Sequence, residues 1–192
     1  MRKIAIFGAT GLILAFIMAG CAKPPQQQMD AAKAAVEACK AEGADVYAAD
    51  EFKKLNDDLQ AALDQVTAKK YKQAREMLIK VAADADALKA TIPAKKEEAK
   101  NAAIAAQDEA RAALDEAKAL LEKAPKGKGT KADIEAFTAD LKGLEDSFPE
   151  IQAAIDKGDF LEAKDKAVAI KDKATSISDQ VKQAIEKVQK KK

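Results

Sequence analysis

Cys21 is the residue with the plainest chemistry in this sequence. It ends the stretch Ile17-Met18-Ala19-Gly20-Cys21, after which the chain turns polar through Lys23, Pro24, Pro25, Gln26, Gln27 and Gln28. As a thiolate, cysteine is a nucleophile, able to form bonds that neighbouring side chains cannot. Little else is reactive. Histidine and tryptophan are absent and the second and last cysteine is Cys39. General acid–base catalysis most often uses histidine, and zinc sites lean on histidine and cysteine. Gly127-Lys128-Gly129-Thr130 suggests a phosphate loop, but the strand and the full G-x-x-x-x-G-K-[ST] spacing are missing. Asp84 and Asp86 are two apart on a helix and point to nearly opposite sides, while Glu145 and Asp146 also diverge. No nucleophile–base pair or ligand set is visible, so the sequence predicts no enzyme, no cofactor and no metal site.

The elements around Cys21 give it a role. Arg2 and Lys3 precede sixteen apolar-dominated residues, Ile4 to Ala19, interrupted by Thr10. That is the layout of a signal peptide, with small residues at the cleavage site. A membrane-spanning helix needs about 20 residues, so an uncleaved anchor is the competing reading. Ala19-Gly20-Cys21 resembles the lipobox of bacterial lipoproteins, although Met18 stands where that family usually has leucine. The resemblance implies cleavage before Cys21 and acylation of its thiol and new amino group. It also implies, because Ala22 rather than aspartate follows, export to the outer membrane. Residues 1–20 are thus expected to be a signal peptide. Residues 21–28 are expected to be the lipidated cysteine and an extended polar tether, stiffened by Pro24 and Pro25.

Removing residues 1–20 leaves 31 cations against 32 carboxylates. Such a balance lacks the basic stripe that nucleic acid requires, and no nucleic-acid partner is expected. Cys39 has no second thiol to pair with once Cys21 is acylated, and lies among Ala35, Val36 and Ala38 as a small hydrophobe. Aromatic residues make up 4% of the chain and Ala, Lys, Glu, Asp and Leu dominate. That composition, with 3–4 periodicity, points to long packed helices.

A shift of 89 residues aligns Leu55 with Leu144, Tyr71 with Phe160, Ala74 with Ala163, Val81 with Ile170 and Ala85 with Ala174. A shift of 78 aligns Ala32–Glu37 with Ala110–Asp115, and an insertion around Ala124–Gly129 absorbs the difference. The shared apolar register predicts a duplication. The expected fold is all-α, an elongated antiparallel bundle of two three-helix units, 29–92 and 93–192. Ile134, Phe137, Leu141, Leu144, Phe148, Ile151 and Ile155 form one seam, and Phe160 through Val188 the next. Phe52, Leu55, Leu59, Ala62 and Val66 form their counterpart, and seams of this kind pack antiparallel neighbours. Gly43 should end the first helix by taking positive φ. Pro93 should separate or kink the helices around it, leaving one rod from Tyr71 to Lys123 if only a kink forms. Pro149 should bend its helix. The turn Ala68-Lys69-Lys70 lacks glycine, so the helix there is expected to run on through a tighter bend.

Glu42-Gly43-Ala44-Asp45-Val46-Tyr47-Ala48, with Leu55, Leu59 and Tyr71-Lys72-Gln73-Ala74-Arg75, resembles an uncharacterised family of Ala-rich helical-hairpin domains on bacterial envelope lipoproteins. Some of its members carry peptidoglycan-binding domains, none of which is recognisable here, and Ala49 replaces an expected proline. The resemblance implies a location and a fold but no activity. Lys157-Gly158-Asp159-Phe160 looks like a tetratricopeptide turn, but the helices are too long for that repeat. Tyr47, outside the seams, is a candidate partner contact or a cap on the core. From Val181 onward five lysines face one glutamate, and cations are favourable at a helix C-terminus. Lipid at one end, a helical body and a lysine at the other resembles the layout of the murein lipoproteins of enteric bacteria. It implies Lys192 as a candidate peptidoglycan attachment. The expected function is a non-catalytic envelope lipoprotein, lipid-anchored through Cys21 and facing the periplasm, with a structural or tethering role. The alternative is an adaptor binding an envelope protein through its helical faces. The sequence does not set the oligomeric state.

Overall fold

Alanine, lysine, glutamate and leucine have high helix propensity, and these residues build helices almost throughout. The computed structural model describes residues 23–124 and 131–189. They form α1 (Gln26–Ala41), α2 (Ala44–Tyr47), α3 (Ala49–Thr67), α4 (Tyr71–Glu122), α5 (Lys131–Asp146), α6 (Phe148–Lys157) and α7 (Phe160–Gln189), with no strand among the described residues. On the outer faces Lys53–Asp57, Lys54–Asp58 and Lys80–Asp84 pair at i,i+4. Each contributes only tenths of a kcal/mol, in the less favourable order with the cation first.

The apolar stripes pack into two clusters. Ala32, Val36 and Cys39 of α1 meet Leu55 and Ala62 of α3 and Leu78, Val81, Ala85 and Ile92 of α4. Farther along α4, Ala103 through Leu121 meet Leu141 and Leu144 of α5, Ile151 of α6 and Ala163 through Val181 of α7. The expected seams are thus the buried faces. Lys171 reaches Glu109 at 2.7 Å and Lys182 reaches Glu116 at 3.0 Å, so α7 runs parallel to α4. Cys39 lies in the field of Asp86 and Lys89 and Gly43, just past α1, lies against Lys96, so α1 also runs parallel to α4, with α3 and then α5–α6 returning between them. The described chain therefore enters beside one end of α4 and leaves beside the other. At 1.5 Å per residue, the 52 residues of α4 span about 78 Å.

Three local expectations are corrected. Gln26–Gln28, expected in the extended tether, are the first turn of α1, and Pro25 is its fully buried N-cap residue. Glutamine is a fair helix former, and proline, having no N–H, fits the start of a helix. The helix before Tyr71 does not run on: α3 ends at Thr67 and Lys69 takes φ 58. Pro149 breaks its helix rather than bending it. It sits in the first turn of α6, where no N–H is needed, and Ser147 N–H bonds Leu144 at 3.2 Å in a tightened i→i+3 turn. At Pro93 the helix does not separate: α4 runs on through it, as the single rod from Tyr71 that is the second of the two expectations there.

Gly43 ends α1 at φ 90 as expected. The Lys69 and Gly158 turns close in the same way. Lys69 N–H bonds Val66 and Lys70 N–H bonds Gln65, both at 2.9 Å; Gly158 N–H bonds Ile155 at 3.0 Å and Asp159 N–H bonds Ala154 at 2.9 Å. This is the Schellman arrangement, whose left-handed position favours glycine. Lysine there carries a backbone penalty of about 1 kcal/mol. Lys69→Gly is therefore expected to raise stability by roughly 1 kcal/mol less the gain in unfolded-chain entropy. Gly158→Ala, with nothing within 4 Å of the added Cβ, should lower stability by roughly 1 kcal/mol through backbone alone. Urea unfolding followed by circular dichroism checks both signs.

Candidate functional site

The three candidate site residues lie in different places. Cys21 and Lys192 are outside the described residues, as is Gly127-Lys128-Gly129-Thr130. Tyr47 is described, and it faces inward. Gly43 turns the chain off α1, and the single turn of α2 carries Tyr47 across to the far half of the molecule. Its hydroxyl donates to the carbonyl oxygen of Gly158 at 2.6 Å. Its ring lies 6.4 Å from that of Phe160, tilted by 50°. Lys96 Nζ of α4 stands 5.6 Å from the ring centroid, within cation–π range. Tyr47 thus directs its hydroxyl and ring to the chain's own α6–α7 turn. The lone aromatic between two helices was the legible signal. Its acceptor, a backbone carbonyl 111 residues away, was not.

The remaining polar groups form ion pairs between helices. Lys95 bonds Glu51 at 2.7 Å, Lys118 bonds Glu145 at 2.8 Å, and Lys166 holds both Glu150 at 3.3 Å and Glu162 at 3.1 Å. The Lys171 and Lys182 ammonium groups are held above the ordinary lysine range, chiefly by hydrogen bonds to Glu109 and Glu116. That is opposite to a nucleophilic lysine, whose pKa must fall. Burial pushes the Cys39 thiol up, with Lys89 pulling it down and Asp86 adding to the rise by less. A reactive cysteine needs the reverse, so Cys39 acts as the expected small apolar side chain. Asp84 is paired with Lys80 and Glu145 with Lys118, in keeping with their reading as surface carboxylates. Among the described residues no group of three or more potential ligands could hold a metal ion.

Two shallow grooves mark the second half. One of about 450 Å³ lies between the end of α4 and α5, lined by Leu121, Ile134, Thr138, Leu141 and Glu145. The other, about 480 Å³, lies between α5 and α7, lined by Leu144, Ser147, Lys173 and Ile177. Both mix apolar walls with surface charges, and neither gathers convergent polar groups of the kind that orient a substrate. No described helix is long and apolar enough to cross a membrane. Compared with known proteins, the chain matches no protein family, no curated protein and no solved structure.

Proposed function

We propose that this chain is a non-catalytic, lipid-anchored lipoprotein of the cell envelope, in the outer membrane facing the periplasm, with a structural or tethering role. The observation that carries the reading is Ala19-Gly20-Cys21 at the end of an apolar run that follows Arg2 and Lys3. The topology supports it: Lys23 and Gln189 lie toward opposite ends of α4, about 78 Å apart along the helix. An anchor at Cys21 and a contact in the lysine tail would then face different layers.

The body is read as two three-helix units related by duplication, sharing α4. Support comes from residues 89 apart that have the same role. Leu55 and Leu144, Ala74 and Ala163, Val81 and Ile170, and Ile92 and Val181 are all buried. The matching bonds at Lys69 and Gly158 lie at the same offset. At an offset of 78, Ala32, Val36 and Cys39 correspond to Ala110, Leu114 and Ala117, again all buried. The first unit's third helix thus continues as the second unit's first.

The test is whether the lysine tail joins the wall. Envelopes are boiled in detergent, the pelleted wall is digested with muramidase, and the digest is probed for this protein. A wall-bound fraction that disappears in Lys192→Arg is expected, because a guanidinium cannot replace an amine in forming an amide. Absence of any wall-bound protein, or a fraction unchanged by the substitution, rejects the covalent tether. That result favours the adaptor reading. Its own support is the outer stripe of α7, where Leu161 and Val168, seven residues apart on one face, are 41% and 39% exposed.

A further inference from the structure

The two core clusters leave a gap on α4. The first ends at Ile92 and the second begins at Ala103. Over residues 93–102 the helix places no side chain in either core, and this stretch starts at Pro93. Proline has no N–H for the carbonyl of Lys89 and its ring crowds that turn. The backbone ladder is thus weakest where packing support is thinnest, and such stretches open first.

Tyr47 spans this gap. It belongs to the first half through its own helix α2, has Lys96 of the gap itself over its ring, and reaches the second half at Gly158 and Phe160. The bond from Tyr47 Oη to Gly158 O joins 23–92 directly to 103–189. The acceptor is well placed, because the first bond of α7 is taken by Asp159, from Ala163 at 2.9 Å. Gly158, turned to φ 86, keeps its carbonyl outside the helix ladder. Lys95, also within the gap, pairs with Glu51 of the first half and, among the described residues, makes no ion pair to the second.

We propose that residues 93–102 of α4 are a hinge and that Tyr47 is the clasp holding it straight. With the Tyr47–Gly158 bond made, the halves move as one body; with it broken, they bend relative to each other about Pro93. The device would let a rod yield under lateral load without unfolding either core. It rests on the packing alone, and holds or fails independently of the lipid anchor.

Hydrogen exchange and small-angle scattering on the full chain test it. Tyr47→Phe keeps the ring and removes only the hydroxyl. It is expected to speed exchange of amides 94–102 about fivefold, the equivalent of one net hydrogen bond, with 74–92 and 103–121 unchanged. The maximum dimension in solution should shorten. Pro93→Ala, which restores the missing helix bond, should return both readings toward wild type in the Tyr47→Phe background. Exchange that rises evenly along Tyr71–Glu122 would mean general destabilisation and would overturn the hinge. So would wild-type exchange and scattering in Tyr47→Phe.

Discussion

Ile151→Asp is expected to unfold most of the second half at room temperature, with Leu144→Asp milder and Lys142→Asp nearly silent. The order follows from how little large apolar volume the core contains. About half of the buried positions are alanine, and the largest fully buried side chains are Leu78, Ile92, Leu141, Ile151 and Val181. Burying one such side chain contributes about 1.5–3 kcal/mol, a large share of a stability on the order of 5–15 kcal/mol. Ile151 is 0% exposed, inside the cluster formed by α4, α6 and α7. An aspartate there loses that contribution and adds the cost of a buried carboxyl, together about 4 kcal/mol or more. Leu144 is 8% exposed and borders the groove between α5 and α7. Its replacement can lean toward water, for a cost of about 2–3 kcal/mol. Lys142 is exposed, and its replacement should stay within about 0.5 kcal/mol. Thermal and urea unfolding read by helicity give the ranking. Equal losses for all three would refute the assigned register.

These positions were legible because a helix seam is a purely local pattern. Leu141, Leu144, Phe148, Ile151 and Ile155 step by three and four, and that step alone assigns the buried face. Gly43 was legible for a similar reason, since a glycine after an apolar-periodic stretch marks a left-handed end. Lys69 was not. Nothing local announces that a lysine will take positive φ; the turn is imposed by α3 and α4 packing antiparallel to each other beside α1. Pro25 misled in the other direction. Two prolines before three glutamines read as a spacer, yet Pro25 is buried and the glutamines are helical. Composition describes what a segment can do unaided, not what a neighbouring helix offers it. Pro93 and Pro149 show the same point as a pair. The first is carried inside a 52-residue helix whose buried faces flank it on both sides; the second starts a new helix. Tyr47 was singled out as the odd aromatic, but its acceptor comes from the other half of the chain.

The second large effect concerns Cys21. In Cys21→Ser the protein is expected to leave the membrane pellet for the soluble fraction and to lose the added lipid mass. Only a thiol gives the thioether, and a serine hydroxyl at its ordinary pKa is a much weaker nucleophile. The shift should be nearly complete because anchoring adds up by chain: about 0.8 kcal/mol per buried CH₂, marginal for one acyl chain and durable for two or more. The short connection sharpens the expectation. With Pro25 buried as the N-cap residue of α1, three residues separate Cys21 from the folded body, a reach of about 14 Å at full extension. The first turn of α1 and the Lys69 turn would then lie near the headgroups, with the far end of α4 well away from them. Cys39→Ser is the matched control: that thiol is 0% exposed in the first core, so its loss can lower stability but should leave partition unchanged. Fractionation with intact-mass measurement decides it. A wild-type protein with no lipid on Cys21, or a Cys21→Ser protein that has lost residues 1–20 and still pellets with membranes, would remove the anchor.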